Sequence, residues 1–154
     1  MQDRLWDRDK DYDTLVKWWA DWEFGKVPKE CLPPDGIVVE QEGEPVCAAG
    51  LYIGVGTQFA FMEWIVTDKN AEQRLVHRCL KLCIDRIMEL AKQKGMKLVD
   101  TATKEQALHK RYQKYHNMIL TESGVKTFLR DLDGAYSEDL TWISDDEQIE
   151  SRNK

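Results

Sequence analysis

The chain has 154 residues, of which 42% are hydrophobic and 32% charged, and its formal net charge is −6. That length suits one domain around one core, the acidity argues against a general grip on a phosphate backbone, and no apolar run approaches the roughly 20 residues that span a bilayer. The charged first ten residues do not read as a secretory signal. Cysteines at 31, 47, 79 and 83 form neither a CxxC pair nor a zinc-like cluster with histidine. Cys79 and Cys83 are therefore expected as buried, reduced thiols in a cytosolic protein.

Residues 11–23 read as an amphipathic helix with Leu15, Trp18, Trp19 and Trp22 as its apolar stripe, started by Asp11 or Asp13 and ended by Gly25. Trp18 and Trp22 share a face, while Trp19 lies about 100° away, towards the edge of the stripe. Pro28, Pro33 and Pro34 make residues 26–36 an irregular loop. Extended segments at 36–41, 45–55 and 57–67, separated by Glu42-Gly43 and by Gly54-Val55-Gly56, predict an antiparallel meander. The period then changes. Val76, Leu80, Cys83, Ile87 and Leu90 recur at steps of four and three, which predicts a helix from residue 70 or 71 to a C′ glycine at Gly95. A strand at 96–102 follows, then a helix at 103–116 with Ala107, Leu108, Tyr112 and Tyr115 as apolar positions. A hairpin of strands 118–121 and 125–132 about Glu122-Ser123-Gly124 closes a domain over 1–132. Residues 133–154, with seven acids and two bases, read as an acidic tail.

The strand 57–67, the long helix and the strand 96–102 form a right-handed crossover with parallel strands. The expected fold is α/β (α+β), a mixed central sheet with helices on both faces.

This order of elements resembles the GNAT superfamily of N-acyltransferases. The stretch LPPDGIVVEQEGEPVCAAGLYI…FMEWIVTDKN, the tryptophan-rich first helix and the Arg-Tyr ending of the second further resemble a group of bacteriophage GNAT-like proteins, over roughly residues 5–131. The resemblance implies a GNAT-type fold, acetyl-CoA as acyl donor and an amine acceptor on a small molecule or a protein. It implies that the strand 57–67 carries the pantetheine arm on main-chain groups, here Ile65, Val66 and Thr67. The following loop and helix N-terminus would hold the diphosphate, which suits free N–H groups and the positive end of a helix dipole. In the superfamily that loop has Gln or Arg, two residues, Gly, one residue, then Gly or Ala. Here Arg74, His77 and Cys79 take those slots, so neither glycine is present. Asp68 and Glu72 add negative charge, and Lys69, Arg74 and Arg78 are the side-chain candidates for phosphate contact.

Glu63 is the candidate general base. Acyl transfer to an amine needs the ammonium deprotonated, and a carboxylate among aromatic residues has a raised pKa. By alternation Glu63 shares a face with Phe59, Phe61 and Ile65; the alternative is a structural Glu bonded to an indole or an arginine. The superfamily's general acid is often a tyrosine in a Tyr-x-x-x-Gly-Phe setting. RYQKYHNMIL puts Tyr112 in that slot if His116-Asn117 replace Gly-Phe, and Gln113 if Asn117-Met118 do, since Asn tolerates the left-handed conformation. Tyr115 and His116 are further candidates, and His77, His109 and His116 form no triad or metal constellation. Trp18, Trp19 and Trp22, with the Pro-rich loop, would wall the acceptor site. Two readings stay open: an acetyl-CoA-dependent N-acyltransferase with Glu63 as base and Tyr112 as acid, or a catalytically inactive GNAT-like phage protein in the host cytosol that serves as a virion component or binds a host protein. Neither calls for nucleic acid, membrane or metal.

Overall fold

The computed structural model describes residues 1–124 and Leu132. The expected strand at 125–132, Leu132 apart, and the acidic tail lie outside these residues. Five strands form one sheet in the order β1 (Gln2–Leu5), β2 (Asp35–Gln41), β3 (Glu44–Ile53), β4 (Phe59–Thr67) and β5 (Leu98–Asp100). The first four are antiparallel to their neighbours, and β4 and β5 are parallel. Helix α1 (Arg8–Asp21) follows β1, α2 (Gln73–Gln93) crosses from β4 to β5, and α3 (Gln106–His116) follows β5. The mixed sheet and the parallel crossover are as expected. No helix among the described residues is long and apolar enough to cross a membrane.

The two faces of the sheet bury separate cores. On one, Val39, Cys47, Leu51, Ala60 and Met62 pack against Cys79, Cys83, Ile84 and Ile87 of α2 and Tyr112 of α3. On the other, Val38, Ala48 and Val66 pack against Leu15, Trp18 and Trp19 of α1, with Trp6, Val27 and Leu32. Cys47, Cys79 and Cys83 are buried free thiols and Cys31 is exposed.

Several boundaries differ from the sequence reading. Strand β1 was not expected. Helix α1 begins at Arg8, because Asp7 accepts the Asp9 and Lys10 amides as N-cap. Asp11 instead sits buried inside the first turn, where it accepts both terminal nitrogens of Arg4 and the Asp7 amide. Arg4 also bonds Glu40 through Nε at 2.6 Å, so one guanidinium ties β1 to α1 and β2. The helix leaves through Trp22 and a left-handed Glu23 (φ 59°), two residues before Gly25. Helix α2 starts at Gln73 rather than at 70 or 71, since Asp68 takes the Asn70 amide and Ala71 bonds back to the Asp68 carbonyl in a turn. Gly95 (φ 81°) does follow its last turn. Residues 118–121 are not a strand: Asn117 turns left-handed (φ 52°), Met118 bonds back to the Tyr112 carbonyl, and Ile119 and Leu120 are exposed.

Trp6 shows how closely the α1 face is fitted. Gly36 and Gly50 pair across β2 and β3 and make a flat floor for its indole. A Cβ at Gly36 would stand 2.3 Å from Trp6 Cδ2 and 2.8 Å from the Ala49 carbonyl, and one at Gly50 2.5 Å from Trp6 Cη2. The indole N–H donates to the Pro33 carbonyl at 3.2 Å, which pins the Pro-rich loop over the same spot. Gly36→Ala and Gly50→Ala should each cost about 1–3 kcal/mol by overpacking. In urea unfolding this appears as a lower midpoint at unchanged slope, and a second change, Trp6→Leu, should restore part of the loss. Unchanged midpoints in both variants would show that the indole does not lie on this floor.

Candidate active site

The site is built on a break in β4. The strand pairs Ala48 with Val66 and Gly50 with Glu63, so one extra residue lies on the β4 side. Trp64 is at that bulge, with φ 59°, in the left-handed region. Its indole N–H donates to the Tyr52 hydroxyl at 2.8 Å, Tyr52 in turn donates to the Cys31 carbonyl, and Trp19 meets the Trp64 ring edge-on at 6.4 Å. These contacts from β3, the Pro-rich loop and α1 hold a bulky residue in a conformation it disfavours.

The bulge resets alternation. Before it, Ala60 and Met62 face α2, and Phe59, Phe61 and Glu63 face the other way. After it, Ile65 joins the α2 core and Val66 the α1 core. The expectation that Ile65 shares the face of Glu63 is therefore corrected, because alternation does not survive an extra residue.

A second break lies on the outer side of β4. Strand β5 pairs only with Phe59–Phe61 and ends at Asp100. From Met62 onward no described strand covers that edge of β4, which leaves main-chain groups open for strand-like addition of an extended ligand. The Asp68 amide donates to the Val46 carbonyl of β3, so the Thr67 carbonyl, trans to it, points to the open edge. There it accepts the Trp22 indole N–H at 2.9 Å. Trp22 thus closes the far end of the edge. Of the three tryptophans expected at an acceptor site, Trp18 and Trp19 are buried in the α1 core at 4% and 2% exposure, because both point into the sheet. Trp22 alone is exposed, stacked with Phe24.

Glu63 and Tyr112 approach the gap from opposite faces of the sheet. Burial, and then the charge of Asp100, push the Glu63 carboxyl up to about 7. Burial, with the Glu63 charge adding to it, pushes the Tyr112 phenol up to about 12, against a smaller opposing influence of nearby Thr101. Among the described residues, no atom makes a well-formed hydrogen bond to the buried Tyr112 hydroxyl. Asp100 and Thr101 end and follow β5, so the two side chains converge where β5 leaves β4. The left-handed Asn117 occupies the glycine position of the alternative register, which puts Gln113 in the tyrosine slot. Gln113, however, is exposed, and Tyr112 is the side chain turned inward. His116 is buried beside Asp85 of α2, bonded at 2.9 Å, and Tyr115 packs on His77.

Beyond the end of β4, Glu72, Arg74, His77 and Arg78 line a cavity of about 500 Å³ at the start of α2. The N-cap residue Glu72 makes no side-chain capping bond, and the first turn carries no acid, so the amides there are open to an anion. Lys69 turns away: its ammonium donates to the Asp21 carbonyl at 2.6 Å and lies over the Trp22 ring. Sequence reasoning missed Arg111, whose guanidinium reaches His77 from α3. The only sequence signal was its place beside Tyr112.

No family model and no curated protein matches the chain. Solved structures do. A putative acetyltransferase from Agrobacterium tumefaciens is similar with a TM-score of 0.63 at 16% identity, covering 84% of this chain and 100% of that one. An aminoglycoside acetyltransferase from a soil metagenomic sample, in complex with sisomicin, gives 0.61 at 14% identity, covering 85% and 95%. Rv2747 from Mycobacterium tuberculosis, in complex with CoA and NLQ, gives 0.58 at 13% identity, covering 73% and 70%. The chain has the fold of the GNAT acetyltransferases.

The raised Glu63 pKa has a consequence for stability. Folded Glu63 holds its proton up to about pH 7, while an ordinary glutamate loses it near 4.5. The protonated form therefore favours the fold, and that contribution is lost as pH rises through 7. Glu63→Gln, which stays neutral, should gain stability relative to the parent between pH 5 and 8 in urea unfolding. A stability difference independent of pH would show that Glu63 is an ordinary exposed carboxylate.

Proposed function

We propose that the protein is an N-acyltransferase that moves an acetyl group from acetyl-CoA to an amine, with Glu63 as general base and Tyr112 as general acid. The observation that carries this reading is Glu63, a half-buried carboxyl beside the open edge of β4 that burial, and then the charge of Asp100, push up to about 7. A base of that pKa accepts a proton effectively at neutral pH. Support for the donor comes from the geometry described above: an uncovered strand edge from Met62 onward, leading to a cavity with Arg74 and Arg78 at an uncapped helix start.

Bound acetyl-CoA would supply an activated thioester carbonyl. The Ile65 carbonyl and the Thr67 amide would hold its extended arm on the strand edge, while Val66, whose main chain is paired with Ala48 of β3, would not, and Arg74 and Arg78 would meet its phosphates. Lys69, engaged with Asp21, would have to release that carbonyl to contribute. Glu63 takes a proton from the acceptor ammonium, directly or through one water, so that the nitrogen lone pair can form the new C–N bond. As the C–S bond breaks, Tyr112 would give its proton to the leaving sulfur, and the second proton, which the nitrogen sheds on becoming an amide, would return to the tyrosinate through water. The high pKa of Tyr112 keeps it protonated until a strong base appears. Phe59 and Phe61, on the face of Glu63, would border the acceptor, a small-molecule or protein amine, whereas Trp22, bonded to the Thr67 carbonyl, stands at the donor end of the strand and not at the acceptor as expected.

Acetyl-CoA at a thousandfold excess over its dissociation constant should stabilise the chain by about 4 kcal/mol, read as a rise in the thermal midpoint. With a panel of primary amines, kcat/KM should climb with pH to a plateau, with a midpoint near 7 set by Glu63. Glu63→Gln should lower kcat by about 10²–10⁴-fold while the thermal shift with acetyl-CoA persists. No shift at millimolar acetyl-CoA would sink this reading and leave the non-enzymatic one.

A further inference from the structure

We propose that Asp100 selects the acceptor, a linear diamine or polyamine whose second ammonium rests between the Asp100 carboxylate and the Phe61 ring while the first reaches Glu63. The inference rests on the acyltransferase reading and gives it a substrate class.

The floor of this acceptor site is the part of the sheet that α1 leaves uncovered. The core under α1 includes Val38, Ala48 and Val66 and stops at Trp64. Beyond it, Tyr52 of β3 pairs with Phe61, and Phe61 pairs with Asp100 of β5. Val99 packs into the α2 core, so Asp100 stands off the opposite face, the face of Phe61 and Glu63. The Phe59 and Phe61 rings lie 5.0 Å apart, tilted by 57°, and Phe61 is 42% exposed. Two residues of strand span about 6.8 Å and neighbouring strands lie about 4.8 Å apart, which puts the Glu63 and Asp100 Cα atoms about 8 Å from each other. The Phe61 ring occupies the corner between them.

Both acids of this floor are unmet. Among the described residues neither Glu63 nor Asp100 takes part in an ion pair, and the charge that Glu63 feels is that of Asp100. Two unpaired carboxylates on one face repel, and cations beside them remove that repulsion. A monoamine meets Glu63 alone. A diamine meets both acids, and its second ammonium also finds an aromatic face. An independent feature marks the same place as one that a ligand completes: the Tyr112 hydroxyl, buried and without a well-formed bond among the described residues, comes to the gap from the other side of the sheet. The row of Tyr52, Phe61 and Asp100 thus distinguishes acceptors by what they carry away from the reacting nitrogen.

The full chain would be titrated with the linear diamine diaminobutane and with butylamine, without acetyl-CoA, and the ring signals of Phe59 and Phe61 followed by NMR. Diaminobutane should shift the Phe61 ring at concentrations where butylamine does not. Asp100→Asn should abolish that difference and Asp100→Glu should keep it, with urea midpoints checking that each variant folds. Turnover would be read at about pH 8.5, above the Glu63 midpoint and below that of an alkylammonium. There kcat/KM should be about fivefold higher for diaminobutane than for butylamine, the scale of an exposed ion pair joined by an aromatic face. Asp100→Asn should bring that ratio to one by raising the KM of the diamine. Diaminoethane, too short to reach both acids, should gain nothing over ethylamine. Equal ring shifts and equal kcat/KM for the two amines overturn the inference and leave the acyltransferase reading standing. An undiminished ratio in Asp100→Asn overturns the role of Asp100, and a lysine-bearing peptide preferred to every diamine overturns the substrate class. A diamine-specific shift that Asp100→Asn removes, with no turnover of any amine, keeps the cation site and removes the acyltransferase reading.

Discussion

A tryptophan in the left-handed region of backbone space costs about 1–3 kcal/mol, and the arrangement of this molecule depends on β4 holding Trp64 there. Without the extra residue, the strand would keep one face from Phe59 to Thr67 and Glu63 would align with Ile65. With it, Glu63 and Trp64 point to the α1 side while Ile65 turns to α2. The strain is offset locally. Trp64 donates to Tyr52, Tyr52 to Cys31, and Trp19 packs on the indole. The tryptophan-rich helix and the Pro-rich loop are thus parts of the apparatus that keeps β4 bent at its bulge. Two of the three α1 tryptophans are fully committed to this packing and have no surface left for a ligand.

The α1 helix must itself be held, and a single guanidinium does much of that. Asp11 is buried, and a buried carboxylate is stable only when its charge is met. Arg4 meets it in a bidentate pair and reaches Glu40 with its remaining nitrogen. The Asp11 carboxyl resists ionisation through burial, but Arg4 and the Asp7 amide outweigh that and hold its pKa low. Without strand β1 to present Arg4, the start of α1 would carry an unpaired buried acid. A short edge strand therefore fixes the orientation of the helix that braces Trp64.

The meander, the crossover helix and the parallel β4–β5 pair were legible because each leaves a long signal: nine or ten mostly apolar and β-forming residues between turn residues, or a 3.6-residue repeat over 21. Strand β1 was not, since three charged or polar residues and one leucine at a sheet edge show no alternation. The N-cap was expected at Asp11 or Asp13 because four aspartates, at 7, 9, 11 and 13, all suit the role by type; only the Asp9 and Lys10 amides donating to Asp7 single it out. In the site, Glu63 and Tyr112 could be named from residue type and place, but not that they reach the gap from opposite faces. That depends on where β5 stops, and Leu98–Asp100 is too short to bound by pattern. Arg111 was invisible for a related reason: its partner is 34 residues away, and no local spacing announces it.

In the proposed acyltransferase the start of α2 would have to meet the coenzyme's diphosphate with different chemistry on the same fold. Main-chain amides bind an anion well only when nothing stands between them and it, which is why glycine suits such loops. A chain with His77 and Cys79 in those slots cannot work this way, and Cys79 is in any case buried in the α2 core. What it retains is the positive helix end, with Arg74 and Arg78 on the cavity wall and Arg111 behind His77. Side-chain donors are longer and less fixed than amides, so they need support from elsewhere in the fold. Here that support comes from α3, through Arg111 and Tyr115, on either side of Tyr112. Arg111 and Tyr115 are on the same helix as Tyr112, so α3 would join the proposed anion site to one of the two proposed reacting groups, while the other, Glu63, is held by β4.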